Sequence, residues 1–333
     1  MIEAAEATPL GRTALTVTRV GLGTAPLGGL YAPVSDEAAQ ATVARAWERG
    51  VRFFDTAPLY GHGLSERRVG AALAGRPRDE LVLATKVGRL LRAGAPEDDS
   101  QLSGGIERWP DVPPVNPVFD FTYDGVMRSV AESLERLGVD RVDVLHIHDP
   151  DEHYEDALSG AYRALDRLRA EGTIGAVGVG MNQAEMLVRF LRDADFDCVL
   201  LAGRYTLLDQ SALAELLPLC LEHGIAVILG GVYNSGILAD PRPGATYDYS
   251  LAPPEVLGRV RRIAAVCERH GVPLKAAALQ FPLAHPAVTS LLLGARAVTE
   301  LEENLELLRG ELPAGLWTEL RQEGLLSPEA PTP

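Results

Sequence analysis

Short apolar runs alternate with amphipathic stretches along almost the whole chain, and no other feature limits the fold as much. The runs are VTRVGLGT (17–24), VRFFDT (51–56), LVLATKV (81–87), RVDVLHIH (141–148), IGAVGVG (174–180), DCVLLAG (197–203), IAVILGG (225–231) and VTSLLLG (288–294). They are apolar at successive positions and often β-branched, as strands buried on both faces must be. The segments between them carry helical periodicity, and several end in glycine, at Gly50, Gly138, Gly172, Gly224 and Gly271, which reads as left-handed C-caps. Strands alternating with helices imply a parallel sheet with right-handed crossovers. Eight such units in 333 residues predict one α/β domain, a closed (β/α)8 TIM barrel over residues 1–325. An open doubly wound sheet is the alternative. The last residues, 326–333 (LSPEAPTP), are expected to form a disordered tail.

The formal net charge is −15, which argues against nucleic acid or an anionic membrane as partner. No apolar run is long enough to span a bilayer, and the N-terminus lacks the pattern of a signal peptide. Cys198, Cys220 and Cys267 lack metal-ligand spacing and fall in apolar stretches. They are expected to be reduced packing residues of a cytoplasmic protein. No metal site is expected, and the oligomeric state is left open.

Chemistry gathers at the ends of the predicted strands. Asp55 ends the second run, Tyr60 follows five residues later, Lys86 closes the third run and His148 the fourth. In a parallel barrel these ends converge on one face, where the active site lies. A lysine near a phenol favours the phenolate, making Tyr60 a usable proton carrier, and Asp55 can hold Lys86 in place. His148 can hydrogen-bond a substrate oxygen. Of His146 and His148, one is expected to face the barrel and the other the helical layer. The set suits moving a proton on or off a carbonyl or alcohol oxygen, with a nicotinamide hydride as the partner event at carbon. Two long insertions, 88–121 and 234–255, follow strands on the same face and are expected to act as lids or binding loops. Trp109, Asp149 and His153 are candidate contacts to a small-molecule substrate. GLGTAPLGG (21–29) lacks the spacing of a dinucleotide fingerprint and is taken as the turn after the first strand, lining the site.

With FDTAPLYG…SE, TK at Lys86 and HDP at His148 in order, the chain resembles the aldo-keto reductases. That family's (β/α)8 barrel binds nicotinamide cofactors without a Rossmann domain. The resemblance implies a catalytic tetrad of Asp55, Tyr60, Lys86 and His148. It gives the carboxamide contact to Asn182, with Arg204 or Tyr205 replacing a second contact, and leaves Gly231 and nearby Tyr233 where members often stack an aromatic. It also implies a phosphate-binding turn at Gly294, Ala295 and Arg296, and adenine contacts from Glu303 and Asn304. Glu300 would repel a 2′-phosphate, which points to NAD, although Arg296 argues for NADP. FDFTYDGVMRSVAESLERLGVDRVDVLHIHDPDEH, LLAGRYTLLDQ and GGVYNSGIL resemble a branch that oxidises ring-form aldoses of the L-fucose, L-galactose or D-arabinose type, or pyridoxal hemiacetal, to lactones. The competing expectations are a broad NADPH-dependent carbonyl reductase and, from another class, a cofactor-binding regulatory subunit.

Overall fold

The protein is described from a computed structural model covering residues 3–96, 102–103 and 106–333. Eight parallel strands close into a barrel: β1 (Val20–Gly23), β2 (Phe53–Asp55), β3 (Val82–Val87), β4 (Val144–His148), β5 (Ala176–Met181), β6 (Cys198–Ala202), β7 (Ala226–Gly230) and β8 (Val288–Gly294), with β8 pairing back to β1. The (β/α)8 expectation holds, and the open-sheet alternative falls on the β8–β1 pairing. The helices α1 (Asp36–Glu48), α2 (Leu64–Leu73), α3 (Tyr123–Leu137), α4 (Arg163–Ala170), α5 (Ala184–Asp193), α6 (Leu216–His223), α7 (Pro254–Arg269), α8 (Leu274–Leu283), α9 (Val298–Leu307) and α10 (Ala314–Gln322) complete the ordering, with α7 and α8 both between β7 and β8.

Local sequence explains where elements begin and stop. Ser35 accepts a hydrogen bond from the Ala38 amide and starts α1, and Thr122 does the same from Gly125 for α3. Such caps satisfy donors that the first helical turn leaves free. Gly138 and Gly224 end α3 and α6 at φ 64°, a left-handed conformation that glycine adopts without strain.

Period two along each strand divides the apolar residues into two cores. Phe53, Val82, Ala84, Val144, Ala176, Cys198, Ala226, Ile228 and Leu292 fill the barrel interior. Phe54, Leu83, Leu145, Ile147, Val177 and Leu201 face the helices. Each large aliphatic side chain so buried contributes about 1.5–3 kcal/mol. The antiparallel pair Ala7–Pro9 and Thr16–Thr18 brings Leu10, Leu15 and Val17 against the interior core.

Two expectations need correction. His146 and His148 both face the barrel interior, because residues two apart on a strand share a face. The imidazole of His146 lies over Gly178, which pairs with it across β4 and β5. The terminal segment 326–333 packs against the barrel's flank: Ala330 is buried, Arg321 donates to the Ala330 carbonyl at 2.8 Å, and the Ser327 amide donates to Gln210 Oε1 at 3.3 Å.

Of the first insertion, residues 89–92 pair antiparallel with 116–119; residues 97–101 and 104–105 lie outside the described set. Among the described residues no helix is long and apolar enough to cross a membrane. The three cysteines are free and buried.

Candidate active site

Asp55 is the last residue of β2 and Lys86 the penultimate residue of β3. Neighbouring strand ends bring them together: Lys86 Nζ donates to Asp55 Oδ2 at 2.6 Å and to the Thr56 carbonyl at 2.8 Å, with both side chains almost wholly buried. The chain around them is braced by hydroxyls. Thr24 Oγ1 donates to the Asp55 carbonyl, and Ser65 Oγ lies 2.7 Å from Thr24 Oγ1 and 2.9 Å from Thr56 Oγ1. Burial pushes the Asp55 carboxyl above its usual range, and the ammonium beside it offsets only part of that.

Tyr60 is placed by a turn that only small residues permit. A Cβ on Gly61 would come within 2.1 Å of the Gly28 carbonyl oxygen, and one on Gly28 within 2.6 Å of the Tyr60 carbonyl carbon. The turn through Tyr60 therefore lies directly on the turn after β1. The Tyr60 ring centroid is 4.7 Å from Lys86 Nζ, 5.8 Å from the His148 ring in an edge-on arrangement, and 5.8 Å from the Trp109 ring. The expected lowering of the phenol pKa is not found. Burial holds it well above its usual value, and Asp55 and Asp149 add to the effect. The reason is geometric: the ammonium is already matched by Asp55 and lies over the ring.

His148 ends β4 and is held neutral, with burial first and the charges of Arg89 and Lys86 next driving its pKa well below the usual range. Its Nε2 lies 3.5 Å from Asp149 Oδ2. Asp149 adopts φ 45°, a turn that aspartate tolerates. Arg89 fixes this corner, donating to the His148 carbonyl at 3.2 Å and to Asp149 Oδ2 at 3.1 Å while lying 4.5 Å above the Phe119 ring. Trp109 is buried beside Tyr60. His153 instead packs between Phe119 and Phe121, at 4.8 and 5.2 Å between ring centroids, outside the tetrad and the cleft described next.

A cleft of about 700 Å³ opens from Asp55 and Tyr60 toward α9. Its lining includes Gly23, Pro26, Asn182, Arg204, Gly231, Tyr233, Gly294, Arg296, Glu300, Glu303 and Asn304. Asn182 Nδ2 donates to Asp248 Oδ1 at 3.3 Å, and Arg204 Nη2 donates to Asp248 Oδ2 at 2.7 Å. Tyr233 Oη donates to Asn304 Oδ1 at 2.8 Å. Arg296 gives its backbone N–H and guanidinium to Glu300, each at 2.9 Å, and Lys275 pairs with Glu303 at 2.7 Å. Burial raises the Glu300 carboxyl, and the hydrogen bonds from Arg296 more than offset this, leaving it below its usual range. Ala295 is buried away from the lining. Tyr205 is turned into the core against Phe281 and His285 and cannot replace a carboxamide contact.

Sequence reasoning missed Arg89, Arg108, Asp248 and Tyr249. Arg108 lies 4.8 Å above the Tyr249 ring, joining the two insertions. Arg89 carried a weak signal, three residues past Lys86. The others sit in aperiodic loops.

The arrangement offers a phenol, a neutral imidazole and a buried ammonium–carboxylate pair at the inner end of a long cleft. The cleft's donors fit a nicotinamide dinucleotide: an amide at Asn182, a narrow turn where a Cβ on Gly294 would touch Pro26 at 3.0 Å, and a carboxylate–amide pair at Glu303 and Asn304. Comparison with known proteins agrees. The family model described as "Aldo/keto reductase family" matches residues 19–322. Pyridoxal 4-dehydrogenase from Microbacterium luteolum is 46% identical, over 98% of this chain and 99% of that one. D-threo-aldose 1-dehydrogenase from a Pseudomonas species is 44% identical, over 96% of each. L-galactose dehydrogenase from Arabidopsis thaliana is 32% identical, over 89% of this chain and 86% of the relative. Among solved structures, an aldo-keto reductase from Bacillus halodurans shares the fold with a TM-score of 0.73 at 24% identity, over 97% of this chain and 96% of that chain.

Proposed function

The chain belongs to the aldo/keto reductase family of nicotinamide-dependent oxidoreductases, and from that premise we propose that it oxidises the anomeric hydroxyl of an aldose, or the hemiacetal hydroxyl of pyridoxal, to a lactone, using NAD. When bound, an oxidised nicotinamide supplies the hydride acceptor and a positive charge. Tyr60 first releases its own proton to solvent through the cleft it lines, and then accepts the hydroxyl proton. Lys86, held by Asp55, keeps a positive charge against the phenol ring. The neutral His148 orients the reacting oxygen through Nε2. Asn182 and Arg204 hold the carboxamide, Gly231 and Gly294 admit the dinucleotide, and Glu303 and Asn304 take the adenine.

One observation carries the substrate class. The Asp149 carboxylate sits 3.5 Å from His148 Nε2 and 3.1 Å from Arg89. An acceptor next to the reacting oxygen's place suits a substrate with a second hydroxyl close to the first. Ring aldoses and pyridoxal both have one; simple aldehydes do not. Trp109 encloses the ring of such a substrate. The choice of NAD rests on charge: each cation lining the cleft among the described residues is already paired, Arg204 with Asp248, Arg242 with Asp240, Lys275 with Glu303 and Arg296 with Glu300. A 2′-phosphate would have to displace one of these carboxylates.

The protonated Tyr60 favours a second reading, carbonyl reduction with NADPH, since a neutral phenol is ready to give its proton. The deciding experiment follows nicotinamide absorbance with NAD⁺ and, separately, L-fucose, L-galactose, D-arabinose and pyridoxal, with Tyr60→Phe alongside. Turnover lost in the variant by about 10²–10⁴-fold supports the dehydrogenase. NADPH oxidation with simple aldehydes, and no signal with NAD⁺, supports the reductase.

A further inference from the structure

Beneath the Asp55–Lys86 pair, the barrel interior holds a polar group that the proposed chemistry leaves unused. His146 stands in register with Lys86 on β3 and with Gly178 on β5, and all three face inward. A Cβ at position 178 would come within 2.2 Å of His146 Nδ1 and 2.8 Å of Cys198 Sγ. Glycine there is what admits the ring. The imidazole is completely buried. Among the described residues, no protein group hydrogen-bonds to either of its nitrogens or to Asp55 Oδ1. Asp55 pairs with Ala84 on β3, two residues before Lys86, and Lys86 pairs with His146, so carboxylate, ammonium and imidazole come from three consecutive strands of the barrel. Buried carboxylates and imidazoles without a protein partner are satisfied by ordered water.

We propose that His146 is a positioning residue for the Asp55–Lys86 pair: held against Gly178, it binds internal water that hydrogen-bonds the free oxygen of the Asp55 carboxylate and takes up part of that carboxylate's charge. A neutral imidazole suits this task, having one N–H to donate and one nitrogen to accept. Burial, then Lys86, holds its pKa down at about 3. The titratable groups facing it are Asp55 from β2, Lys86 from β3, Cys198 from β6 and His148 above it on β4. With the bridge removed, the Asp55 carboxylate bears more fully on Lys86 and the positive field at Tyr60 weakens. Tyr60 then keeps its proton to higher pH. This last step rests on the proposed role of Tyr60; the water bridge does not.

The test has two arms. A high-resolution crystal structure of the wild-type protein with NAD should contain water within hydrogen-bonding distance of both Asp55 Oδ1 and the His146 ring. A dry layer overturns the proposal. In kinetics, His146→Leu should lower kcat for oxidation at pH 7 roughly tenfold, the loss of about one hydrogen bond's influence on the pair. It should move the rising limb of the pH–kcat profile upward by about half to one unit, with KM and NAD affinity held within about twofold. His146→Gln, which keeps a donor and an acceptor, should return the limb toward wild type. An unshifted limb in a folded His146→Leu protein refutes the positioning role. If His146→Leu does not fold, the diffraction arm decides. If no substrate is oxidised, the dehydrogenase reading fails while the diffraction arm still tests the bridge.

Discussion

Replacing Asp55 by leucine removes the one carboxylate that Lys86 Nζ contacts among the described residues, leaving the ammonium with the Thr56 carbonyl at 2.8 Å. At the observed 2.6 Å and an effective dielectric constant of about 20, the lost attraction is about 6 kcal/mol. Relaxation recovers part of it, and breaking a buried pair by removing one partner costs about 3–5 kcal/mol in practice. Lys86→Met should cost a similar amount, because it strands the carboxylate. The double substitution removes both charges from a layer already lined by Phe53, Ala84 and Val144, so it should lie within about 2 kcal/mol of wild type. Urea denaturation of the four proteins at pH 7 completes the cycle. A double variant whose loss equals the sum of the single losses would refute the account of this pair as mutually dependent charges. All three variants should be inactive in the oxidation assay, which separates the pair's role in catalysis from its role in the fold.

Acid should destabilise the protein through its buried histidines. His146 and His148 are held neutral in the fold, so below about pH 6.5 the unfolded chain binds protons that the native state does not. Stability is therefore present above pH 6.5 and falls as pH drops, for His146 down to about pH 3, by up to about 1.4 kcal/mol per pH unit for each group. His146→Leu should flatten the dependence between pH 6 and pH 4 by about that slope, read from urea midpoints; an unchanged slope contradicts a neutral His146. Glu300→Gln frees Arg296 and should improve NADP affinity by about 3–10-fold, as the loss of one partly exposed ion pair permits; titration calorimetry showing no change would remove Glu300 from coenzyme choice. Asp248→Ala cuts the tie from the second insertion to Asn182 and Arg204. It should raise both the binding and release rates of NAD severalfold in stopped-flow fluorescence with little change in Kd, and unchanged rates would show that this loop does not gate the cleft.

The barrel was legible because its signal is periodic: LVLATKV and VDVLHIH are apolar at consecutive positions, as only doubly buried strands are. The nearness of Asp55 and Lys86 followed directly, since they end neighbouring strands. The common face of His146 and His148, against the expectation of opposite faces, follows from the same period of two. Loop geometry was not readable. Nothing local distinguishes Trp109, which comes to Tyr60, from His153, which packs on Phe119. Asp248 and Tyr249 take φ of 51° and 63°, values that no sequence pattern of theirs announces. The lowering of the Tyr60 pKa expected from Lys86 fails because burial dominates and Asp55 offsets the ammonium, neither of which a strand-end pattern displays. The tail at 326–333 looked disordered from its composition, yet hydrogen bonds from Arg321 and to Gln210 hold it.

The roof over the site is assembled from two insertions, one leaving β3 and one leaving β7, which meet where Arg108 lies over Tyr249. Among the described residues, neither takes part in the hydrogen bonding that closes the barrel. For protein engineering this separates two jobs. Libraries confined to residues 107–119 and 244–251 can alter which molecules enter while the reacting groups on the strand ends stay as they are. Because the two halves touch side chain to side chain, the segments form one selection problem, and variants of either are best screened in combination with variants of the other.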